Sequence, residues 1–169
     1  MSVSSDSRQT ERMMEVRTLC HARHSGVAMR LAARISSFAE THRLGAVYGQ
    51  DAAYLVNGQL LVPDISFISS AKVSSEGEPA GPWPMAPDLA VEVITAADSG
   101  ESIQQRMSEY FAAGARQVWI VLLESRNINV YRSATDFVVV TEEDVLFNIE
   151  IIPGFRCHVA ELFRQPGQN

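Results

Sequence analysis

The sequence predicts a mixed α/β fold: a mixed β-sheet with two main helices packed on it and additional strands towards the C-terminal end. Two segments repeat apolar residues at helical spacing, several short runs are rich in β-branched and aromatic residues, and Gly, Pro and Asn turn signals separate them. The order is helix, strand meander, strand, helix, strand and further strands, which suits two helices laid on one sheet.

The first helix is expected over Ser25 to about Arg43, where Val27, Leu31, Ile35 and Phe38 recur on one face; Ser25 is a candidate N-cap and Gly45 a stop. The period then changes. Ala46 to Gln50, Ala52 to Val56 and Gln59 to Ser69 read as antiparallel strands, with a hairpin turn at Asn57-Gly58. Pro63 marks a strand start or an edge, where its missing N–H does no harm. Glu76 to Asp88 is a Gly- and Pro-rich loop around Trp83, either a flap or a plain connection. Leu89 to Thr95 is a short apolar strand holding one acid. Ser99 to Ala113 is the second helix, with Ile103, Met107, Tyr110 and Phe111 on one face and Gly114 ending it. Val118 to Leu123 is apolar throughout, as in a central strand buried on both faces. Asn127 to Arg132 and Phe137 to Thr141 form a hairpin. Val145 to Phe163 holds a short strand, a Pro153-Gly154 turn and a last helical turn.

Composition limits the function classes. The chain of 169 residues suits one domain, expected over 21–165, preceded by a polar, disordered or loosely ordered tail over 1–20. No apolar run is long enough for a membrane span and the N-terminus lacks the apolar core of a signal peptide, so a soluble cytoplasmic protein is the default expectation. Cys20 and Cys157 are read as free thiols; His21 and His24 lie near Cys20, but no second ligand pair follows at zinc spacing. The net charge of −6 argues against a generally basic nucleic-acid surface. It is uneven, however: up to Arg43 there are seven arginines against four acids, and Arg30 and Arg34 are either a solvated helix face or contacts to phosphate.

The residues that point to chemistry are two acids in apolar strands. Asp64 sits in Leu61-Val62-Pro63-Asp64-Ile65-Ser66-Phe67 and Glu92 in Leu89-Ala90-Val91-Glu92-Val93-Ile94. Such carboxylates are partly buried, and a buried charge needs a partner. An arginine, exposure to solvent or a shared divalent cation would each meet that need.

Pro63-Asp64, Glu92-Val93-Ile94, Arg106-x-x-x-Tyr110-x-x-x-Gly114 and Val118-Trp119-Ile120-Val121, in this order, resemble a bacterial restriction endonuclease family of the PD-(D/E)XK nuclease superfamily. Arg23-His24-Ser25 is similar to that family's His-led helix start. The resemblance implies the restriction endonuclease-like fold and Mg²⁺- (or Mn²⁺-) dependent phosphodiester hydrolysis of DNA. It implies Asp64 and Glu92 as metal ligands, the main-chain carbonyl of Val93 as a third, and Arg106 in place of the catalytic lysine. Two departures matter. Ile94 stands where the superfamily has its lysine, and Arg106 where the narrower family has it; an arginine clamps phosphate but does not lose its proton to act as a base. Thr95-Ala96 replaces Ser-Pro, and Ser102 replaces an acid often found early in the helix. A nuclease-fold protein with weak or lost catalysis, serving as a binding or interaction module, is the alternative expectation.

Other residues have milder readings. Tyr110 is expected in the core, its hydroxyl near the site. Trp83 either stacks on a base or tucks against its own domain. His24 either caps the first helix, lies exposed or contacts phosphate, and Asp88 reads as a turn residue. A homodimer is an expectation from symmetry alone, since two strands are readily cut by two-fold related sites.

Overall fold

Helix α1, Ala22–Thr41, follows from a four-residue repeat: Val27, Leu31, Ile35 and Ala39 lie on one stripe and are all buried. The computed structural model describes residues 22–73 and 77–167. The expected tail over 1–20, with Cys20 and His21, lies outside the described residues. The helix begins ahead of Ser25, so the expected cap is instead an exposed residue of the first turn. Beyond its end Arg43 has φ 55° and Gly45 φ 156°. A Cβ at Gly45 would lie 2.1 Å from the carbonyl oxygen of Ile68, so only glycine lets the chain enter the sheet there.

The strands follow in order: β1 Gly45–Tyr48, β2 Tyr54–Val56, β3 Gln59–Leu61, β4 Ile65–Ser69 and β5 Leu89–Ile94. Helix α2, Gly100–Ala113, leads to β6 Gln117–Leu122, β7 Asn127–Tyr131 and β8 Phe137–Val140. A hairpin of β9, Val145–Asn148, and β10, Phe155–His158, runs into the short helix α3, Val159–Phe163. The main sheet has the order β1-β4-β5-β6-β7-β8. Only β5 and β6 are parallel, joined by the α2 crossover; the other neighbours are antiparallel. Strands β2 and β3 form a separate hairpin, with Asn57 and Gly58 both at positive φ as a tight turn requires.

Alternation along β5 sorts its side chains between two cores. Leu89, Val91 and Val93 join α1, α3 and the β9–β10 hairpin, whereas Ala90 and Ile94 join Met107 and Tyr110 of α2. The mixed sheet with a main helix on each face therefore matches the architecture read from the sequence. The run expected as one strand over Gln59 to Ser69 is broken at Val62-Pro63-Asp64, and that break sets the position of Asp64. The Gly- and Pro-rich loop is a connection fastened to β2. The N–H of Leu55 donates to the Trp83 carbonyl and the N–H of Trp83 to the Ala53 carbonyl, each at 2.8 Å. Among the described residues no helix is long and apolar enough to cross a membrane.

Candidate active site

The site forms where β4 ends and β5 continues. The antiparallel register pairs Ile65 with Val91, so one step further Asp64 faces Glu92 across the strands. The ladder stops at Ile65, and the Val93 N–H needs another acceptor in a buried strand. Asp64 provides it: Oδ2 accepts that N–H at 2.8 Å. His24, in the first turn of α1, brings Nε2 to 3.3 Å from the same oxygen. Asp64 is 7% exposed and His24 8%. The hydrogen bond to Asp64 raises the His24 pKa; burial opposes this, and the Asp64 charge, the Val93 main chain and Asp98 add to it.

Glu92 is 2% exposed and points to the α2 side. Arg106 and Tyr110, one helical turn apart on α2, both reach it. Tyr110 Oη donates to Oε1 at 2.5 Å, and Arg106 Nη1 donates to Oε2 at 3.2 Å. The other arm of the guanidinium, Nη2, donates to Asp98 Oδ1 at 3.0 Å. Asp98 is itself fixed, because its Oδ2 accepts from the N–H and the hydroxyl of Thr95. Burial works against the charged guanidinium, but Glu92 and Asp98 outweigh it and hold the Arg106 pKa above its ordinary value. Nε of Arg106 is buried without a hydrogen-bond partner. Asp64 is thus paired with His24, while Glu92 and Asp98 share the cation of Arg106.

This donor set suits a hard cation. Among the described residues no three His, Cys, Asp or Glu side chains converge as a metal cage. The Asp64/Glu92 pair and a main-chain carbonyl offer oxygen only, and Mg²⁺ is commonly held by one or two carboxylates with waters completing the shell.

Residues 14–160 match the model of the Uma2 family, described as "Putative restriction endonuclease". The chain belongs to this family. A solved structure, that of "a putative nuclease belonging to DUF820 from Anabaena variabilis ATCC 29413", is similar with a TM-score of 0.75. The two share 18% sequence identity, and the match covers 85% of this chain and 82% of that one, which shows a common fold. No curated protein matches the sequence.

Within the Uma2 fold, the residues singled out from the sequence separate into two groups. Asp64, Val93 and His24 are in contact at one end of β5, and Glu92, Arg106 and Tyr110 are in contact with one another on its α2 side. His24 is a buried partner of Asp64, neither an exposed residue nor the cap of α1. The remaining three lie elsewhere. Trp83 is 5% exposed and packs in the α2-side core, so its ring is unavailable to stack on a base. Arg30 and Arg34 are held by α3: Arg30 Nε donates to the Leu162 carbonyl at 2.7 Å, and Arg34 pairs with Glu161 at 2.9 Å. Their guanidinium groups brace α1 against α3, away from Asp64 and Glu92.

Two acids carry more than their sequence context suggests. Asp98 shares Arg106 with Glu92, and the only sequence trace of this is the Thr95-x-x-Asp98 spacing of a side-chain-capped turn. Asp88, read as a turn residue, is 1% exposed at the opposite end of β5. Its carboxylate accepts from the Ser69 N–H and pairs with Lys72, while its carbonyl accepts from Arg116 and Gln117. It splices β4, β5 and β6 and lies apart from the site.

Proposed function

We propose that this Uma2 protein is a nuclease that hydrolyses DNA phosphodiester bonds with the help of a bound Mg²⁺ or Mn²⁺ ion. The observation that carries the reading is the pair of buried carboxylates, Asp64 just ahead of β4 and Glu92 on the adjacent β5, each held by hydrogen-bond donors. Asp64, Glu92 and the Val93 carbonyl would hold the ion. Such an ion supplies an acidified water and offsets charge on the scissile phosphate.

The chain's own groups have separable tasks. The Val93 N–H and His24 fix the rotamer of Asp64, and Tyr110 fixes that of Glu92, so neither carboxylate has to be ordered when the ion binds. Arg106 is permanently charged and carries a buried N–H with no acceptor, which suits an anionic oxygen arriving at the site. It does not abstract a proton. Asp64 and Glu92 facing a phosphate would repel it, and a cation held between them would offset that repulsion.

The test is cleavage of plasmid DNA by the purified protein with Mg²⁺ or Mn²⁺. Nicking or linearisation by the parent, lost in Asp64→Ala, supports the reading; no cleavage, or equal cleavage by the variant, rejects it. One observation favours a second reading, a nuclease fold retained as a binding module. Both terminal nitrogens of Arg106 are occupied by Glu92 and Asp98, and no lysine stands beside the carboxylates. DNA binding without cleavage under either ion would select it.

A further inference from the structure

We propose that Asp98 is a positioning residue of the cation site: it holds one arm of Arg106, so that the guanidinium gives up Glu92 to an incoming ion and still stays beside the site. This role for Asp98 rests on the reading of Asp64 and Glu92 as cation ligands and adds a residue to it.

The Glu92 side chain is 2% exposed, and Arg106 supplies positive charge beside it. A cation on the same carboxylate competes with that guanidinium, because two positive charges are then drawn to one anion. The strength of the Glu92–Arg106 pair therefore governs how readily the ion enters. An arginine makes its strongest carboxylate pair as a fork, with two parallel N–H donors on one partner. Arg106 does not fork on Glu92. Nη1 goes to Glu92 at 3.2 Å, and Nη2 goes to Asp98 at 3.0 Å, the shorter of the two.

The turn before α2 presents Asp98 for this contact. Asp98 stands directly ahead of Ser99, the N-cap of α2, where the helix dipole favours an anion. Its Oδ2 accepts from the Thr95 N–H at 3.0 Å and from the Thr95 hydroxyl at 3.1 Å. Its own N–H donates to the Thr95 carbonyl at 3.1 Å. One carboxylate oxygen is thus fixed to the turn, and the other faces Arg106. Among the described residues no three acidic, His or Cys side chains converge as a metal cage, so Asp98 acts on the ion through Arg106 and not as a ligand. Without the Asp98 charge, both arms of the guanidinium turn to Glu92, and the ion meets a stronger competitor.

A double-mutant cycle read by calorimetric titration of the full chain with Mn²⁺ tests this role. Asp98→Asn keeps an oxygen for Thr95 and removes the charge, and its dissociation constant for Mn²⁺ is expected to rise at least about tenfold. Arg106→Gln removes the competitor, and its dissociation constant is expected to fall below that of the parent. In the Arg106→Gln background, Asp98→Asn is expected to raise the constant by no more than about threefold, the share due to the Asp98 charge acting at a distance. Asp98→Ala loses the turn as well as the charge and is expected to match Asp98→Asn in affinity. An equal rise in both backgrounds, no rise in Asp98→Asn shown to be folded by urea denaturation, a rise confined to Asp98→Ala, or Arg106→Gln binding no tighter than the parent overturns the role and leaves the cation reading standing. No uptake by the parent overturns the cation reading itself, and the role of Asp98 with it.

Discussion

The Val93 N–H donates to Asp64 Oδ2 at 2.8 Å, so the side chain of one candidate ligand completes the main-chain ladder of the strand that carries the other. Fold and chemistry share this atom. A substitution at Asp64 therefore acts on both, and the two effects are separable by choice of residue.

Asp64→Ala removes the acceptor for a buried N–H and the partner of His24. A loss of about 2–4 kcal/mol in unfolding free energy is expected from urea denaturation. Asp64→Asn keeps an oxygen for Val93 and loses less, while its cleavage of plasmid DNA falls as far as that of the alanine variant. Equal stability of Asp64→Ala and the parent contradicts the ladder role.

Tyr110→Phe deletes the hydroxyl bound to Glu92 and leaves the ring in the core. The expected cost is about 1–2 kcal/mol, with Mn²⁺ affinity reduced because Glu92 is less firmly oriented. Calorimetric unfolding and Mn²⁺ titration measure the two effects. An unchanged affinity confines Tyr110 to packing.

Arg106→Lys puts a compact ammonium, which can lose its proton, one helical turn from Tyr110. Cleavage is expected to rise at least about tenfold if the missing proton acceptor limits the parent. Initial rates of plasmid nicking read this directly. A lower rate would assign the task to the forked guanidinium itself.

Arg34 and Glu161 supply a pH test remote from the site. The hydrogen bond from Arg34 holds the Glu161 carboxyl below the usual carboxylate range. A depressed folded-state pKa gives stabilisation that is present above the unfolded value and lost as pH falls through the folded one. NMR titration of Glu161 is expected to show the low midpoint, moving up in Arg34→Ala. A midpoint indifferent to Arg34 would remove the bond between α1 and α3 from the account of the fold.

The architecture was legible because its signals are local. The four-residue repeat Val27, Leu31, Ile35, the Asn57-Gly58 turn and the unbroken apolar strand β6 each depend on neighbours in sequence. Asp64 and Glu92 could be singled out because a charge in an apolar strand is also a local pattern, Tyr110 because it falls on the apolar face of α2, and Arg106 only through the family resemblance of that helix. The rest depended on tertiary packing. Arg30 and Arg34 look solvated until α3 packs beside α1, and Trp83 looks free until its loop bonds to β2. Asp98 and Asp88 gain their roles from partners that only the folded sheet brings near.

The most direct measurement is calorimetric titration of the full chain with Mn²⁺, comparing the parent with Asp64→Asn and Glu92→Gln after each is shown to be folded. The expected result is uptake by the parent that both variants lose. Uptake undiminished in the folded variants, or none in the parent, would contradict a cation held between β4 and β5.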